Sequence, residues 1–103
     1  MTEKNILTIA FYDYCKIGYR ESLLLATEII TCYSDDVKNV ALKWAKTGEI
    51  PDESIFGFKI IELHKTFNGN FISTLRFLNI LSKDLQTGYR LLTTLARRTS
   101  YRK

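Results

Sequence analysis

The chain has 103 residues, 46% hydrophobic and 13% aromatic, with one proline and five glycines. That is enough apolar material for one folded domain, and it excludes a disordered or collagen-like chain. Fifteen Lys/Arg against eleven Asp/Glu give a net charge of +4, but the charge is divided unevenly. Residues 1–58 carry six basic and nine acidic side chains, a net of −3, whereas residues 59–103 carry nine and two, a net of +7.

In chain order, the spacing predicts a first helix over 4–17, with Leu7, Ala10, Phe11 and Tyr14 on one face and Gly18 as a left-handed stop. Residues 6–15 are also rich in β-branched and aromatic types, which leaves a strand as the alternative. A second helix, 20–32, is apolar nearly all round and is expected to be the most buried. Ser34 then caps a third helix whose first turn holds Asp35 and Asp36 and whose stripe is Val37, Val40, Ala41, Trp44 and Ala45. Gly48 closes it. Residues 48–57 read as an irregular acidic loop with Ile50, Ile55 and Phe56 folded back on the core.

A short helix over 59–67 carries Ile60, Leu63 and Phe67 on one face, and Asn68-Gly69 is a turn signal. Asn70 caps a helix over 71–82, with Phe71, Ile72, Leu75, Leu78 and Leu81 inward and Phe77 and Ile80 expected at the partly exposed edge. Asp84 caps a last helix over 85–98 with Leu85, Tyr89, Leu92 and Ala96 as its stripe. Gly88 beside that stripe lowers helix propensity by roughly 1 kcal/mol or serves close approach of a neighbour. The sum is an all-α single domain of five to six short helices over residues 1–103, with a helical hairpin around Asn68-Gly69 and a basic tail over 97–103.

No constellation for catalysis, cofactor or metal is complete, so a non-enzymatic protein is expected. His64 is the only histidine and Cys15 and Cys32 the only cysteines. The cysteines are expected as reduced thiols, and a nucleophilic pair with His64 would need a thiolate-stabilising environment. Three separated Cys/His residues do not make a zinc site. Asp35-Asp36 and Asp52-Glu53 are adjacent acids, unlike a spaced calcium loop. There is no phosphate-cradling glycine loop. No run approaches the ~20 apolar residues that cross a membrane, and no secretory signal pattern is complete, so the cytoplasm is the expected location.

Residues 60–79 read helix, tight turn, helix. Glu62-Leu63, then the turn, then Arg76, Leu78 and Asn79 resemble the DNA-binding helix-turn-helix pattern over about twenty residues. His64 stands where that pattern has a small residue, and Phe71 and Ile72 open the second helix where polar residues are expected, which favours an ordinary core hairpin. For nucleic acid, the candidate contacts are Lys65, Asn70, Ser73, Thr74, Arg76 and Lys83, with Arg97, Arg98, Arg102 and Lys103 on phosphates. That reading requires Ser73, Thr74 and Arg76 to be exposed together. The leading expectation is instead a small interaction module, a regulator or inhibitor of a protein that handles nucleic acid, with a homodimer as a further possibility. Six Tyr, six Phe and Trp44 suit either a small core or an interface.

Overall fold

A computed structural model describes residues 2–101, with side chains described over 2–95. It contains helices α1 (Glu3–Cys15), α2 (Tyr19–Cys32) and α3 (Asp35–Thr47), strands β1 (Ser54–Ile55) and β2 (Phe58–Lys59), then helices α4 (Ile60–Thr66), α5 (Phe71–Lys83) and α6 (Leu85–Tyr101). The all-α expectation holds, and residues 6–15 are helix rather than strand.

Each helix starts where the sequence supplies a cap. The Thr2 and Ser34 hydroxyls accept hydrogen bonds from the amides of Asn5 and Val37, and the Asn70 side chain accepts from Ser73 at 2.9 Å. Asp84 Oδ1 accepts from the amides of Gln86 and Thr87. The first helix ends differently from expectation. Lys16, at φ 57°, takes the left-handed position, while Gly18 has φ −60° and opens α2 as its N-cap, its carbonyl accepting from Ser22 at 2.9 Å. Stopping α1 at Cys15 lets Ile17 pack against the core.

Helix α1 packs on α2 and α3, α3 on α5, and α5 on α4 and α6. The core runs through Leu7, Phe11, Ile29, Val37, Val40, Trp44, Ile60, Leu75, Leu78 and Leu81. Phe71 is an aromatic hub, with ring centroids 5.4 Å from Phe11 and 4.3 Å from Trp44. The expectation that α2 is the most buried helix is overturned. It buries only Ser22, Ala26 and Ile29, and Leu24 is 63% exposed. Helix α5 buries six residues, including Phe77 and Thr74, because it has neighbours on several sides. Phe77 is therefore core, its ring 5.2 Å from Phe67, and Ile72 is only half-buried.

Residues 54–59 form a small hairpin the sequence reading did not anticipate. Ser54 pairs with Lys59 and Ile55 with Phe58, across a two-residue turn with Phe56 at φ 52° and Gly57 at φ 84°. Positive φ at both positions is the geometry that matches the twist of a two-stranded ribbon, and glycine supplies one of them without strain. Lys43 anchors this segment to α3 through Glu53 at 3.2 Å.

Candidate interaction surface

Helices α5 and α6 make an αα-hairpin about Asp84. Gly88 is buried where they cross, and a Cβ there would overlap the Leu81 side chain, whose Cγ lies 2.9 Å from that position. Close approach is thus the reason for the glycine. Beyond the crossing an apolar groove of about 360 Å³ opens, lined by Phe67, Ser73, Arg76, Phe77, Ile80, Leu91, Thr94 and Leu95. On α5 the lining residues recur at i, i+3, i+4 and i+7, and on α6 at i, i+3 and i+4, so two helix faces form the walls. The expected α6 stripe lies on another side. Tyr89 stacks on Phe58 at 5.3 Å, yet Leu85 and Tyr89 are 46% and 50% exposed.

The sequence candidates do not converge on one surface. Thr74 is fully buried. Its hydroxyl donates to the Asn70 carbonyl at 2.8 Å and meets His64 Nδ1 at 3.0 Å, so it is removed as a nucleic-acid contact. The Asn70 side chain is committed to its cap. Ser73 lies half-buried in the groove wall. Arg76 is exposed, but its Nε lies 3.7 Å from Glu28 Oε2, the oxygen that also accepts a 3.3 Å bond from the Tyr33 hydroxyl. Burial, then the Glu28 carboxylate, push the Tyr33 phenol up to about 12. Lys65 and Lys83 are exposed. The backbone of α6 runs past the expected helix end at residue 98 to Tyr101, but the side chains of Arg97 and Arg98, and all of Arg102 and Lys103, lie outside the described residues. The requirement that Ser73, Thr74 and Arg76 be exposed together is not met.

Chemically reactive groups are likewise dispersed. The proton of the Thr74 hydroxyl goes to Asn70, so Thr74 must accept from His64, which assigns the Nδ1–H tautomer. His64 also stands edge-on to Trp44, centroids 4.7 Å apart, and burial lowers its pKa. Burial pushes the Cys15 thiol up, the direction that disfavours a thiolate. Among the described residues no group of three His, Cys, Asp or Glu is placed to hold a metal, and no helix is long and apolar enough to cross a membrane. A second cleft, beside the β1–β2 hairpin and α3, is polar, and its Lys43 and Glu53 neutralise each other.

Phe67, Phe77, Ile80, Leu91 and Leu95 were not singled out from sequence as site residues. The signal available was the pair Leu91–Leu95, one turn apart and in register with Gly88. No family model, curated protein or solved structure matches this chain.

Proposed function

We propose that this chain is a small non-enzymatic interaction module that docks a larger protein through its α5–α6 hairpin. The observation that carries this reading is the groove between those helices, open to solvent and walled by Phe67, Phe77, Ile80, Leu91 and Leu95. Exposed apolar residues scattered singly are ordinary on a protein surface, whereas a contiguous apolar groove marks an interaction site. The basic character of residues 59–103, nine basic side chains against two acidic, suits a partner or complex that presents negative charge. A regulator or inhibitor of a nucleic-acid-handling protein is the class of role that combines these features. The free thiols of Cys15 and Cys32 agree with a reducing, cytoplasmic setting. Direct base reading is less well supported, because Thr74 is buried and Asn70 and Arg76 are engaged within the chain.

The test places a photo-crosslinking amino acid at Leu91, in the groove, and at Glu49, an exposed loop residue remote from α5 and α6 in sequence. Expressed in the cells that make the protein, the Leu91 variant is expected to give a discrete protein adduct that Ile80→Ser abolishes and that Glu49 does not give. Absence of an adduct at Leu91, or an identical adduct pattern from both positions, overturns the reading.

A further inference from the structure

Resting on the interaction reading above, we infer that the α5–α6 groove takes one acidic amphipathic helix of a partner protein. The shape argument comes first. The α5 wall spans Ser73 to Ile80, two helical turns or about 10 Å of rise, and Leu91 to Leu95 run along the opposite wall. A third helix laid between two others presents anchors at i, i+3, i+4 and i+7, which cover that length. The charge argument selects its sign. Residues 71–103 carry seven Lys/Arg and a single acid, Asp84. Arg76 stands in the groove wall, and Lys83 and Arg90 are exposed on the same hairpin. A helix with an apolar face and flanking Glu or Asp is attracted by this field, and one flanked by Lys is repelled.

The same observations weigh against other occupants. Nucleic acid is read by donors and acceptors, and most of this lining is hydrocarbon. A lipid surface calls for a protruding apolar ridge, whereas this site is concave. A two-fold dimer through the groove would set the hairpin's net charge of +6 against its own copy, since an isologous interface pairs each patch with itself.

The probe is a fluorescein-labelled peptide of about 18 residues, long enough to hold a helix, with Leu at i, i+3, i+4 and i+7 and Glu at most other positions. Its twins replace every Glu by Lys or scramble the order. Anisotropy titration of the full chain is expected to show the acidic peptide binding at least about tenfold more tightly than either twin, an advantage that shrinks with added salt. Leu91→Ser and Ile80→Ser add no charge and are expected to weaken binding about tenfold each, with helix content by circular dichroism unchanged. Equal binding of the Glu and Lys peptides, or indifference to both serine variants, overturns the inference. So does binding to duplex DNA or phosphatidylserine vesicles that saturates where the acidic peptide does not bind. If the peptide fails while the Leu91 crosslink forms, the acidic helix falls and the interaction module stands. If both fail, both fall.

Discussion

Helices α3 and α6 are built on similar plans and end in different environments. Each begins on a polar cap, Ser34 or Asp84, and each carries apolar residues at helical spacing. Helix α3 has α1 on one side and α5 on another, so Val37, Val40, Ala41 and Trp44 all lie in the core. Helix α6 has α5 as its main neighbour, so Gly88 is covered while Leu85, Tyr89 and Leu91 remain between 42% and 50% exposed. Periodicity states that a face requires cover. It does not state how many neighbours the chain provides, and that number separates a structural helix from one with apolar surface left for a partner.

The largest effect expected from this contrast is in the core. Leu78 is fully buried, and Leu78→Ala should cost about 2–5 kcal/mol of unfolding free energy. Leu91→Ala, in the groove wall, should fall within about 0.5 kcal/mol of the parent. Urea denaturation followed by circular dichroism measures both. Comparable losses would mean that the groove is core and that the contrast between the helices is false.

The crossing of α5 and α6 comes next. Gly88→Val forces Leu81 to move, an overpacking worth about 1–3 kcal/mol. Because α6 rests mainly on α5, amide exchange should accelerate along α6 while α3 stays protected. In Gly88→Ala the helix-propensity gain of up to about 1 kcal/mol offsets part of the clash, so its loss should be the smaller of the two. Uniform acceleration across α3 and α6 would instead make the hairpin an inseparable part of the core.

At the caps the same contrast narrows. Ser34→Ala should lower global stability by about 1 kcal/mol, because the start of α3 is joined to the core and the Ser34 amide also donates to Asn79 of α5. The Thr87 hydroxyl and amide beside Asp84 hold its carboxyl below the usual carboxylate range. Loss of that cap in Asp84→Ala should act locally, with faster exchange over 85–88 and little change in the urea midpoint. A larger global loss from Asp84→Ala than from Ser34→Ala would reverse the assignment of the two helices.

Helix boundaries and caps were legible because their causes are local. Ser34, Asn70 and Asp84 each act within three residues, and the spacing of Val37, Val40, Ala41 and Trp44 identifies one face whatever lies opposite. The misses involve partners distant in sequence. Nothing near Leu24 says that α2 lies at the periphery, and Phe77 is buried because Phe67 folds onto it from α4. The hairpin at 54–59 was missed because its strands are two residues each, too short for an alternating pattern. The groove was missed for a related reason. It exists only where α5 and α6 diverge, and only Gly88 with Leu91 and Leu95 hints at it from one side.

The smallest effect tests whether the helical pair α4 and α5 belongs to the closed body or to the open hairpin. His64 of α4 joins Thr74 of α5 and stands against Trp44 of α3. Burial lowers its folded-state pKa below the ordinary value of 6.5. The unfolded chain takes up the proton near that ordinary value and the folded chain only at lower pH, so between the two the unfolded state binds more protons. Stability is therefore fully present above about pH 6.5, declines as pH falls through the window, and levels off below the folded-state value. With one histidine in the chain, His64→Gln should flatten the thermal midpoint in this window. Trp44 is the sole tryptophan, so its fluorescence should follow a single-site titration with a midpoint below 6.5 in the parent and none in the variant. A midpoint at or above 6.5 would mean that water reaches His64 freely, placing the α4–α5 contact with the open hairpin. A depressed midpoint places it with the closed body, and leaves the α5–α6 groove as the part of the molecule that a partner must complete.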